Sequence, residues 1–219
     1  MPRTSARATV RRRRLLLDPP VELTALEERM ASLAAGACDA ALGPVFGEGN
    51  PRAALALVGE APGEREVEDG YPFAGPAGAL LDAVFAEVGL RREELWLTNV
   101  VKCRPVREER GRLSNRAPLA GEIKMWLPLL AEELALVQPR LLVCLGATAA
   151  KALLGRHFKL TEERGVWLAG PRGAAALATF HPAYVLHLES HDPARSAAAR
   201  ATLAADLGAA VARLRVAST

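Results

Sequence analysis

Val58-Gly-Glu-Ala-Pro-Gly63 follows the apolar run Ala54-Leu-Ala-Leu-Val58. Apolar residues ended by glycine and proline read as a buried strand opening into a polar loop. Two later stretches have the same form: Leu97-Thr-Asn-Val100, inside the apolar segment Leu95 to Val101, and Phe180-His-Pro-Ala-Tyr184, after Ala175 to Thr179. Strands interleaved with helical segments imply a parallel sheet covered on both faces. In such sheets ligands bind beyond the carboxyl ends of the strands, so these three loops are the candidate site.

The intervening segments carry helical spacing. Leu23, Leu26, Met30 and Leu33 mark a helix over Leu23 to Ala37, and Leu80, Leu81, Val84, Phe85 and Val88 mark one from Ala77 that Gly89 ends. Gly47-Glu-Gly-Asn-Pro51 breaks the chain before the first strand. Glu122 to Val137 reads as a helix, Arg140 to Leu145 as a strand and Thr148 to Leu154 as a short helix. Val166 to Leu168 and Ala175 to Thr179 read as the last strands, before an alanine-rich closing helix over Ala194 to Leu214. With no internal repeat and no dividing linker, the expected fold is α/β. It is a single-domain αβα sandwich around a central, mainly parallel sheet, spanning residues 21–219.

The chain has 219 residues, half of them hydrophobic, which is enough to bury the core of one domain. No apolar run reaches the ~18 residues of a membrane span. Met1 to Arg14 holds six arginines and no acid; without them 22 basic residues face 25 acidic ones, a net charge near −3. The basic character therefore lies in residues 1–20, expected to be a disordered tail that attracts phosphates non-specifically. An organelle transit peptide shares that composition, and a solvated tail without a role is the plainer alternative. Three cysteines without repeated spacing argue against a disulfide framework and for a reducing cytoplasm.

Gly59 and Gly63 let the first loop turn sharply and approach a flat ligand, with Pro62 stiffening it. A phosphate-cradling loop would continue with Gly-Lys-Ser/Thr, which is absent. Asn99, at the end of a buried strand, offers both a donor and an acceptor, and a free carboxamide there is costly unless a partner with the complementary pattern pairs with it. A turn-capping asparagine is the plain alternative. His181 precedes Pro182, which directs the chain outward into a loop. His157, His187 and His191 have no such setting and read as surface residues.

Together, Val58 to Gly63, Asp69-Gly-Tyr-Pro-Phe-Ala-Gly-Pro-Ala-Gly78, Asn99 and His181-Pro-Ala-Tyr-Val185 resemble the uracil-DNA glycosylases, most closely family 4 of that superfamily, over roughly Ala37 to Leu186. The resemblance implies a monofunctional base-excision enzyme acting on uracil-containing DNA. Phe73 would stack on the extruded base, Asn99 would read it, and His181 would stabilise the departing base. Gly59, Glu60, Ala61 and Gly63 would line the base pocket. Gly75, Pro76, Gly78, Lys102, Arg104, Tyr184, Val185 and Leu186 would meet the DNA. Ala61 stands where other families place an aspartate, and Glu66, in the acidic run after the loop, is the candidate water-positioning carboxylate. Phe73 as ordinary core and Glu66 as part of a solvated face are the competing readings. A uracil- or damaged-DNA-binding module without catalysis is the alternative function, and an unrelated nucleotide-binding α/β protein a third.

Two departures from family 4 stand out. Its iron-sulphur cluster uses four cysteines, but here only Cys38 and Cys103 match; Ala41 and the Met125-Trp126 pair occupy the other places. Two thiolates cannot hold such a cluster, so no cofactor and no metal are expected, with Met125 and Trp126 packing in its stead. Cys144 lies in a buried strand and reads as a small core residue. The segment Val106 to Ser114 looks inserted, and its Arg107, Arg110 and Arg112 either contact phosphates or belong to a plain surface loop. A monomer is expected.

Overall fold

The computed structural model describes residues 19–38 and 43–216. The arginine-rich stretch up to residue 18 and Ala41 lie outside the described residues.

A six-stranded sheet forms the centre, from β1 (Glu48–Gly49), β2 (Leu55–Gly59), β3 (Trp96–Asn99), β6 (Leu141–Leu145), β7 (Leu168–Ala169) and β8 (Ala175–Thr179), in the order β1-β3-β2-β6-β8-β7. The four inner strands are parallel, and only the two-residue edge strands β1 and β7 run antiparallel. The sheet is covered by α1 (Val21–Ala37), α2 (Glu64–Asp69), α3 (Pro76–Val88), α4 (Ala120–Val137), α5 (Ala147–Leu154), α6 (Leu160–Glu163), α7 (Pro182–Glu189) and α8 (Pro193–Val216).

Alternation along each strand divides the core in two, because successive side chains point to opposite faces. Ala56, Val58, Trp96, Leu142, Cys144, Ala176 and Ala178 pack with α1, α4 and α5. Leu55, Leu57, Leu97, Val143, Leu145 and Leu177 pack with α3 and α8. The αβα sandwich read from the sequence is the architecture observed. No helix among the described residues is long and apolar enough to cross a membrane.

Three local features differ from the sequence reading. Pro182 does not send the chain into a loop: it is the first residue of α7, where its missing N–H costs nothing, with His181 as N-cap. The acidic run after Gly63 forms α2, and Glu66 reaches back to accept from the Gly63 N–H at 3.1 Å, a capping-box contact. The inserted segment is a hairpin, β4 (Val106–Glu109) with β5 (Arg112–Asn115), turned through Arg110 and Gly111 at φ +53° and +75°. Positive φ at both central residues suits the right-handed twist of a tight hairpin.

Cys38, at the end of α1, and Cys103, after β3, form a disulfide across 65 residues with Cα atoms 5.2 Å apart. This corrects the expectation that the cysteines form no disulfide. Cys144 is fully buried, and burial pushes its thiol up to about 12, as fits a core residue.

Candidate active site

Parallel register brings the carboxyl ends of the inner strands to one edge. Gly59 pairs with Asn99, Val58 with Cys144, and Leu145 with Thr179. Three of the strand-end loops wall a cleft of 930 Å³, lined among others by Glu60 to Glu66, Gly75, Pro76, Asn115, Arg116, Leu145 to Thr148, His181, Tyr184 and Leu186.

Asn99 and Phe73 meet at Gly59, and His181 stands beside the Phe73 ring against Gly146. A Cβ at Gly59 would lie 2.3 Å from Asn99 Oδ1 and 2.7 Å from Phe73 Cζ, so only glycine admits both side chains. The Phe73 and His181 rings stand 6.1 Å apart, tilted by 31°. Gly146, at φ +91°, allows the close approach of His181: a Cβ there would meet the histidine Cβ at 3.1 Å. Asn99 and Phe73 are 4 % and 5 % exposed and are not among the residues that line the open cleft. Both pack closely against Gly59. Phe73 also belongs to the apolar cluster under α3 and α8, so it is packed as core and is not a freely standing loop residue.

His181 Nδ1 accepts from the Ala183 N–H at 3.1 Å. A neutral imidazole that accepts at Nδ1 carries its proton on Nε2, which is thereby a fixed donor. Burial holds the group down to about 4, so it stays neutral across the physiological range. Glu66 keeps one carboxylate oxygen on the Gly63 N–H, while the other lies 3.8 Å from where a Gly75 Cβ would stand. Glu60 is anchored differently, accepting a short hydrogen bond from the Thr148 hydroxyl.

The expected DNA-contact residues fall into two groups. Gly75, Pro76, Tyr184 and Leu186 line the cleft. Lys102 does not reach the surface: it is fully buried and donates to Glu133 Oε2 at 2.6 Å, Thr98 Oγ1 at 2.5 Å and the Asn99 carbonyl at 2.9 Å. A buried ammonium requires such partners, and with them it is a structural strut behind Asn99, not a phosphate ligand. Arg104 is also enclosed, donating to Asn115 Oδ1 at 2.7 Å and pairing with Glu64 at 3.3 Å. Val185 is core at 2 % exposure, and Gly78 is buried against the Phe73 backbone. Their expected DNA contact is corrected to a packing role.

Asn115, Arg116 and Thr148 escaped the sequence reading. A signal for the last existed, because Leu145-Gly146 ends a buried strand in glycine as the other loops do.

The four-cysteine cluster does not fit these residues. Cys38 and Cys103 are bonded to each other, and among the described residues no three His, Cys, Asp or Glu side chains are grouped to hold a metal ion. Trp126 and Met125 pack instead in the same apolar cluster as both cysteines, and the Trp126 Nε1 is buried without a hydrogen-bond partner.

The model of the uracil DNA glycosylase superfamily matches residues 46–207. A type-4 uracil-DNA glycosylase of Thermotoga maritima is 38% identical over 152 residues, covering 68% of this chain and 74% of the relative. One from Pyrobaculum aerophilum is 39% identical over 149 residues, covering 65% and 72%. A type-5 uracil-DNA glycosylase of Thermus thermophilus is 32% identical over 158 residues, covering 63% and 68%. On the matched span and the type-4 similarity, the chain belongs to the uracil DNA glycosylase superfamily.

Proposed function

We propose that this protein is a monofunctional glycosylase that flips uracil out of DNA and hydrolyses its N-glycosidic bond. The observation that carries the reading is an asparagine amide and an aromatic ring that meet at Gly59, with a histidine ring 6.1 Å from the aromatic one. Asn99 reads the O4 and N3–H edge of the base, and Phe73 stacks on its face. As the glycosidic bond breaks, its electron pair passes to the base, and His181 Nε2–H stabilises the charge developing at O2. Glu66, held by the Gly63 N–H at the cleft wall, orients the water that adds to the sugar carbon and accepts its proton. Gly75, Pro76, Tyr184 and Leu186 meet the DNA backbone. The enzyme is taken to act as a monomer in the cytoplasm. It works without a cluster, the disulfide and the Trp126 packing docking α1 beside the loop after Asn99.

The test is a labelled oligonucleotide containing one uracil, incubated and then treated with alkali. Strand breaks at uracil are expected. A gel shift without breaks would make the chain a uracil-binding module and sink the catalytic reading. Asn99→Ala should slow single-turnover excision by roughly ten- to hundredfold for each base hydrogen bond left unmade, at about 1–3 kcal/mol per bond.

A further inference from the structure

Phe73 has a backbone φ of +57°, a region that a bulky aromatic residue rarely enters. Such a conformation persists only where its surroundings over-determine it. Two neighbours do so here. On one side α3 presses against it, for a Cβ on Gly78 would stand 1.7 Å from the Phe73 carbonyl oxygen.

On the other side lies Arg92, the first residue of a 3-10 turn (Arg92–Glu94) that leads into β3. Its Nη2 donates a short hydrogen bond to the Pro72 carbonyl, and its Nη1 donates to the Phe73 carbonyl at 3.4 Å. The same guanidinium pairs with Glu48 of β1 at 3.1 Å and Asp82 of α3 at 3.0 Å, and stands 5.7 Å from the Tyr71 ring centroid. The side chain is only 13% exposed and is not among those lining the cleft. So placed, it has no direct part in contacting the base.

We propose that Arg92 is a positioning residue for base stacking: it pins the Pro72–Phe73 turn so that the Phe73 ring is already set against Gly59 and His181 when the base arrives. The inference rests on the stacking role proposed for Phe73. Only a planar guanidinium has enough donors in a fixed fork to hold two carbonyls and two carboxylates together. Because Arg92 also precedes the strand that ends in Asn99, the stacking turn and the base-reading strand share one anchor. A misplacement of about 1 Å between them is enough to cost about 10²-fold.

Arg92→Lys is the informative variant, since it keeps the charge opposite Glu48 and Asp82 but cannot span both carbonyls; Arg92→Gln is a second. Single-turnover excision, and fluorescence of 2-aminopurine beside the uracil as a reporter of base extrusion, are measured for Arg92→Lys, Phe73→Ala and the double variant. Melting curves supply the folded fraction, so that rates refer to folded protein. Arg92→Lys should raise the enzyme concentration for half-maximal excision by about tenfold and reduce extrusion, with a smaller effect on the maximal rate. In the Phe73→Ala background it should add less than about twofold, because the two residues act through one ring. Losses that multiply in the double variant, or Arg92→Lys and Arg92→Gln proteins that extrude and excise as wild type does, would overturn the proposal. Phe73→Ala that excises normally would remove the stacking role itself, and this inference with it.

Discussion

His181 is the residue whose chemistry depends most on its setting. Its Nδ1 is occupied by the Ala183 N–H and burial holds the ring down to about 4, against an ordinary value near 6.5. The unfolded chain therefore takes up a proton at this site between pH 6.5 and about 4 that the folded protein refuses, so folding stability falls as pH drops through that window. A His181→Asn variant should lose that part of the pH dependence, measured by denaturation at pH 7 and pH 4.5. Excision should show its histidine-dependent acid limb near pH 4; an inflection at pH 6.5 that vanishes in His181→Asn would contradict a neutral donor. Lys102 is the opposite case, charged and buried. Lys102→Met leaves the Glu133 carboxylate inside with, among the described residues, the Trp96 Nε1 donor at 3.0 Å, and breaking such a pair costs about 3–5 kcal/mol. Adding Glu133→Gln should recover much of that loss in urea titrations; equal instability of the single and double variants would mean that the pair is not the cause. The resemblance put Lys102 at the DNA, and its burial escaped notice because that burial depends on an acid 31 positions away, a pairing that no local pattern announces.

Among the elements, the long helices and inner strands were legible because each carries a single unbroken period: the helical spacing of Leu23, Leu26 and Met30, or the apolar run from Leu141 to Leu145. The short elements were not. Helix α7 hides behind Pro182, which reads equally as a loop or as a first helical residue, and α2 is an acidic run that only the Glu66 contact to Gly63 converts into a capped turn. The junction of α1 with the loop after β3 was legible in part, since Cys38 and Cys103 stood out as two of four expected ligands but their bond to each other did not. Closing a 65-residue loop stabilises by at most about 4 kcal/mol in the chain-entropy account. Reduction should lower the melting temperature measurably. Denatured, unreduced protein should titrate one thiol, Cys144, and three after reduction. Three thiols before reduction would overturn the disulfide, and stoichiometric iron would overturn the cluster-free reading as well.

On the scale of the whole molecule, charge and catalysis are separated along the chain. The Asn99, Phe73 and His181 site sits in a domain whose balance, without the six arginines of residues 1–14, is near −3, although its substrate is a polyanion. On the proposed reading the cleft holds one flipped nucleotide, and the arginine-rich stretch, six arginines with no acid in residues 1–14, supplies long-range attraction for DNA. A chain beginning at residue 19 should therefore keep its melting temperature and, at saturating enzyme, its single-turnover rate. Its half-saturating concentration at low salt should rise. The slope of log affinity against log salt should become shallower by about 0.9 for each phosphate that the shortened chain no longer neutralises on duplex DNA, or about 0.7 on single strands. The measurement is excision over a series of salt concentrations with both chains. Equal slopes would show that residues 1–18 touch no phosphate, whereas a slower saturating rate in the shortened chain would show that they contribute to the chemistry and not only to capture.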